Sequence, residues 1–172
     1  MLPRLLVLAL AGASFCAGAQ LAPDNPDWKE FDAPPPPALR TQGLIPVEVP
    51  GSASSLRFGV DPDSVSVGPD SVVRYVVVAA GSSGVTNGIY EGIRCSTGEV
   101  KVYARHTPDS GWVPAKGSDW KDLYSVPNAR YSLAVARNGA CLGRAPNGPA
   151  VQIVRDLRAP VDRRFERGGV NR

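Results

Sequence analysis

Histidine, methionine and cysteine are scarce: one, one and three in 172 residues. The lone histidine, His106, leaves no set of nucleophile, base and orienting group for acyl transfer, and there is no Gly-x-Ser-x-Gly turn. Only Asp109 lies near His106 in the sequence, so a metal centre, which draws on several His, Cys or carboxylate ligands, lacks a donor set. Phosphate-binding and dinucleotide fingerprints are missing too, since Gly81, Gly84, Gly88 and Gly92 match neither spacing. Neither sign of charge dominates, with 19 basic against 16 acidic residues and a net charge of +3. That is not the balance of a nucleic-acid-binding domain. No cofactor, metal or nucleic-acid partner is expected.

The first residues have the three parts of a secretory signal. Arg4 supplies the positive start, Leu5 to Leu10 an apolar run that weakens through Phe15, and Ala17-Gly18-Ala19 the small residues before a cut between Ala19 and Gln20. The apolar run is short of the ~20 residues needed to cross a bilayer, so a cleaved signal over residues 1–19 is expected rather than an uncleaved anchor. Cys16 follows the bulky Phe15, which disfavours a lipid-attachment site. No later segment is apolar enough for a membrane helix. Removing Arg4 with the signal leaves 18 basic against 16 acidic residues, a net +2 over 153 residues. An exported protein, most simply periplasmic, is the expectation.

Cys95 and Cys141 remain after the cut. An even count in an oxidising compartment reads as a disulfide, and their spacing is far too long for a Cys-x-x-Cys redox motif. Two separate buried thiols are the alternative.

Residues 20–43 read as an arm rich in Pro and Asp. The run Pro34-Pro35-Pro36-Pro37 favours an extended polyproline rod. It fits a stiff spacer, or else a ligand for an aromatic groove, with Trp28 and Phe31 available to anchor it on the domain. Strands are expected at Leu56–Val60, Val65–Val67, Val72–Ala80, Asn87–Ser96, Glu99–Thr107 and around Trp112, separated by Gly, Pro, Asp and Ser turns. Helices are expected at Asn128–Arg137, capped by Asn128, and at Pro149–Arg158, where Val151, Val154 and Leu157 recur at helical spacing. Residues 159–172 read as a disordered basic tail. The pattern predicts a single α+β domain over residues 44–158: an antiparallel β-sheet of five to six strands with one or two C-terminal helices packed on one face.

If Gly81–Gly84 turns the chain with Ala80 opposite Val85, Arg74 faces Glu91 on an apolar face. If Thr97-Gly98 is a two-residue loop, Glu91 faces Ala104 and Cys95 faces Val100. The paired Arg74 and Glu91 are then either a structural ion pair that fixes register or a polar site at the floor of a groove. Glu91 is the one weak catalytic candidate, with Arg74 tuning it. The other face would carry Tyr75, Tyr90, Arg94, Lys101, Tyr103 and Arg105. It is either a binding surface for an anionic polymer or an envelope protein, or a solvated face with cation–π pairs such as Tyr90 with Arg105.

The segments Val60-Asp61-Pro62-Asp63-Ser64-Val65-Ser66-Val67, Val73-Arg74-Tyr75-Val76-Val77-Val78 and Tyr90-Glu91-Gly92-Ile93-Arg94-Cys95, with Asn87, Tyr103-Ala104, Gly111-Trp112 and Trp120, resemble the cryptic-neisserial-protein-like family of small exported proteobacterial proteins. The resemblance runs from Trp28 to Arg158. It departs before Cys141, where Asn138-Gly139-Ala140 stands in place of the aromatics usual in the family. It implies export and this architecture and supplies no mechanism. The expected function is therefore a non-enzymatic binding or interaction module of the cell envelope. The rival is a hydrolase or lyase acting on an envelope polymer through Glu91.

Overall fold

The computed structural model describes residues 25–49, 55–125 and 130–159. The expected signal with its Ala19–Gln20 cut, the Asn128 cap and nearly all of the basic tail lie outside the described residues.

One antiparallel sheet organises the chain. Its strands are β1 (Ile45–Val47), β2 (Arg57–Val60), β3 (Ser66–Val67), β4 (Val72–Ala80), β5 (Thr86–Arg94), β6 (Glu99–Thr107), β7 (Gly111–Pro114) and β8 (Lys121–Asp122). The main path runs β1-β2-β4-β5-β6-β7, with β3 beside β4 and β8 beside β6. Eight strands rather than five or six result because the three-residue β1 and the two-residue β8 also join the sheet, and segments that short have no period for a sequence pattern to show. The helices α1 (Arg130–Val135) and α2 (Ala150–Arg158) pack with a wide turn at Ala136–Ala140, and β9 (Cys141–Leu142) pairs with β10 (Ala145–Pro146).

Strand β4 is buried at every position from Val72 to Ala79. A strand with one wet face alternates in polarity; one covered on both faces reads as a continuous apolar run. On one face Val73, Tyr75, Val77, Ile89 and Ile93 pack against Tyr131, Val135, Ile153 and Leu157 of the helices. On the other, Val76, Val78, Tyr90 and Ala104 pack against Ala33, Leu39, Leu44 and Trp112. The helices therefore cover one face, and the proline-rich arm covers the other. The spacer reading of residues 25–43 gives way to a strap laid across the sheet. Each fully buried valine contributes roughly 1.5–3 kcal/mol of transfer free energy.

This double burial explains why the expected register fails. In the first hairpin Ala80 pairs with Thr86, not Val85, so Tyr75 lies opposite Glu91 and Arg74 opposite Gly92. The connection closes on itself, with the Gly81 N–H donating to the Val85 carbonyl at 3.0 Å and Gly84 at a φ of 80°. In the second hairpin Arg94 pairs with Glu99 across four residues, and a bulge between Tyr90 and Glu91 leaves Tyr103 as the extra residue of β6. A shift of one residue moves each side chain to the opposite face. Arg74 and Glu91 consequently lie on different faces and do not pair, and Cys95 lies beyond the ladder rather than opposite Val100.

Gly88 and Gly92 belong to the strap side of β5. A Cβ on Gly92 would lie 2.7 Å from Val72 and 2.9 Å from the Tyr103 hydroxyl, and one on Gly88 would lie 2.6 Å from Leu39 and 3.0 Å from the Trp112 ring. These glycines are the notches into which Tyr103, Leu39 and Trp112 fit.

The disulfide joins Cys95, just past β5, to Cys141 at the start of β9, 46 positions further along the chain, with a Cα–Cα distance of 5.7 Å. It ties the sheet to the helical half and removes chain entropy from the unfolded state worth about 4 kcal/mol. Before Cys141, a Cβ on Gly139 would approach the Leu157 backbone nitrogen to 2.8 Å. The small residues in this segment let the wide turn close directly onto α2.

Candidate functional site

Arg74 finds its partner four residues back. Its guanidinium forks onto Asp70, with NH1 to Oδ1 at 3.0 Å and NH2 to Oδ2 at 2.6 Å. The two side chains are only 2% and 1% exposed. The same pair grips the arm: the Phe31 N–H donates to Asp70 Oδ2 at 2.9 Å and Arg74 donates to the Phe31 carbonyl at 3.0 Å. Burial acts to raise the Asp70 carboxyl, but the guanidinium and the Phe31 and Val72 amides outweigh it and hold the carboxyl below its ordinary range. This is a clamp on a peptide backbone. Asp70 has no apolar periodicity around it and gives no sequence signal for the role.

Glu91 sits on the helix side, 1% exposed. The Tyr75 hydroxyl donates to one carboxylate oxygen at 2.6 Å and the Tyr131 hydroxyl to the other at 3.2 Å. Burial raises the carboxyl pKa, and the nearby Tyr75, Ser132 and Tyr131 hydroxyls with the charge of Arg105 only partly offset it. Burial beside this carboxyl also pushes the Tyr75 and Tyr131 phenols up, so they remain donors. Tyr131 is in turn stacked on Phe58, with ring centroids 4.7 Å apart. Tyr131 comes from α1, far along the chain, so local reasoning about the sheet could not supply it.

A groove of about 380 Å3 opens over this cluster. Val100 and Val102 of β6, Val113 and Pro114 of β7, and Tyr131 form its walls, with Glu91 at the back. The connection after β7 folds over it, held by the Ala115 N–H on the Tyr103 carbonyl and by the Ser118 hydroxyl on the Val102 carbonyl. Arg105, Lys116 and Lys121 line the groove as exposed cations, against Asp119 among the exposed acids. These three cations make no ion pair among the described residues.

The remaining candidates separate. Tyr75 is in the helix-side core, and Tyr90 is buried beneath the strap. The guanidinium of Arg94 lies 3.9 Å from the centre of the Trp28 ring, so that cation is capped by the arm. Tyr103 sits beneath the Arg74 guanidinium at 5.5 Å. Of the expected aromatic and cationic surface, only Arg105 is exposed, and it faces the groove side, away from Tyr90. The surface fails as a unit because the one-residue shift and the bulge divide it between two faces, one of which the arm occupies. His106 stands edge-on to Trp112 at 5.3 Å. No cluster of three or more His, Cys, Asp or Glu side chains placed to hold a metal occurs among the described residues. Likewise, no helix among them is long and apolar enough to cross a membrane.

The model of the CNP1-like family matches residues 23–158. No curated protein and no solved structure matches the chain.

Proposed function

The chain belongs to the CNP1-like family, and from that premise we propose that it is an exported envelope protein that binds an anionic polymer in the groove lined by Arg105, Lys116 and Lys121. Three features support export: the signal pattern before Gln20, the disulfide between Cys95 and Cys141, and the family resemblance. The observation that carries the binding reading is the convergence of three exposed cations on a cavity with apolar walls. Cations on a low-dielectric wall focus field into the cleft and draw in a negatively charged ligand.

Binding is favoured over hydrolase or lyase chemistry by the state of Glu91. A general acid must come within hydrogen-bond reach of the bond it acts on. Glu91 is 1% exposed, and each of its oxygens already accepts from a tyrosine. It braces Tyr131, one wall of the groove, against Tyr75.

The test uses protein recovered from the periplasm, whose intact mass should correspond to a chain starting at Gln20. A carboxylated oligosaccharide should bind more tightly than a neutral one of equal length, and the affinity should fall with added salt. Arg105→Ala and Lys116→Ala should each weaken it. Equal affinity for both oligosaccharides, or unchanged binding in the two variants, would overturn the assignment.

A further inference from the structure

The strap is held like a bound peptide. Residues 25–43 form no strand or helix of their own. Apart from a local turn at Asn25, they are held by contacts to the sheet and to the turns beside it, among them the ion pairs of Arg40 with Asp61 and Asp63. The Trp28 indole donates to the Asp70 carbonyl at 2.9 Å, and Trp120 lies edge-on to it at 5.9 Å. Glu30 accepts from Lys101 at 2.8 Å. Asp70 accepts from the Phe31 N–H and Arg74 donates to the Phe31 carbonyl. The Trp112 indole donates to the Pro37 carbonyl at 2.8 Å. Beyond that point the arm joins β1 through a short link containing Gly43 at a φ of 70°.

These contacts are non-covalent, and every one is equally available to the same segment of another molecule. Exchange of an identical element is a low-cost route to a dimer. The four-proline run lowers the cost further, because a stiff extended rod loses little conformational entropy on docking. The face beneath, with Val76, Val78, Tyr90 and Ala104, is apolar and needs a cover whenever its own arm is away. The site is complementary to this arm at every anchor, so the occupant it selects is the arm of a second copy.

We propose that the Asp70–Arg74 clamp and the Trp28 seat form a peptide site that is filled in trans as well as in cis, so that two copies of the chain exchange arms. The Glu30–Lys101 contact provides a direct reading, because a carbodiimide joins a carboxylate and an amine in contact into an amide without a spacer. Unlabelled and nitrogen-15-labelled full-length protein are mixed, one portion after unfolding and refolding together, then cross-linked and digested. The expected result is a Glu30–Lys101 peptide pair with one light and one heavy half, whose share rises with protein concentration. If this pair is found only with both halves light or both heavy at every concentration, including after refolding together, the strap acts in cis alone and the proposal fails.

Discussion

Replacing Arg74 with alanine tests the register and the clamp together. The guanidinium and Asp70 are both nearly inaccessible to water. Removing Arg74 leaves the Asp70 carboxylate buried with only the Phe31 and Val72 amides, at 2.9 and 3.2 Å, to stabilise its charge. Breaking a buried pair by deleting one member costs about 3–5 kcal/mol. Asp70→Ala should cost at least as much, because it strands those two N–H groups as well as the guanidinium, at about 1–3 kcal/mol for each unsatisfied group. The double variant loses both charges together, so its cost should fall short of the sum by about 3 kcal/mol, the upper range for directly interacting residues. Arg74 and Glu91 share no partner and lie on different faces. Their cycle should therefore be additive within about 0.5 kcal/mol. Urea unfolding at pH 7 measures both cycles, reading midpoint shifts at constant slope. Strong coupling of Arg74 to Glu91, or an Arg74→Ala variant within 1 kcal/mol of the parent, would refute the register and with it the clamp.

Glu91 and Asp70 should impose opposite pH dependences. The Glu91 carboxyl is raised above its ordinary 4.5 by burial; the folded state therefore holds that proton longer, and the contribution, complete below about pH 4.5, is lost as pH rises through the folded pKa. Relative to Glu91→Gln, the parent should lose stability in urea titrations as pH rises above about 4.5. A difference that stays flat or grows with pH would contradict the burial. Asp70, held below its ordinary 3.8, contributes above that pH, and its share is lost as acid takes the medium through the lowered folded value. For the disulfide, protein from the periplasm should show no free thiol before reduction, and Cys95→Ala should lower stability by about 4 kcal/mol. Alkylation of both cysteines without reduction would count against the bond.

The sequence by itself determined the long strands, the helix α2 and the family, and it favoured a disulfide over two separate thiols. Turn residues such as Asp61-Pro62-Asp63-Ser64 and Thr97-Gly98 mark chain reversals by their backbone preferences. The β-branched run of β4 can hardly be anything but a buried strand, and the spacing of Val151, Val154 and Leu157 behind Gly148-Pro149 announces a helix, although the buried face of α2 is carried by Ile153 and Leu157 while Val151 is 75% exposed. These are local properties. Register is not local when both faces of a sheet are covered: Val73, Val76, Val77 and Val78 are equally apolar, so alternation carries no polarity to say which face is which. Only the tertiary structure decided that Tyr75, not Arg74, meets Glu91, because only there does Tyr131 arrive from α1 to complete the carboxylate's hydrogen bonds. It also decided that Arg74 answers to Asp70 and to the backbone of Phe31. An arm with no periodicity of its own becomes a layer of the fold because Gly88 and Gly92 leave room on that face for Leu39, Trp112 and Tyr103. The groove arises in the same way, from a connection after β7 that folds back over β6 and brings Lys116 to the cavity that Arg105 lines. Sequence patterns report what each segment prefers, whereas a site built where separate segments meet depends on packing that no single segment encodes.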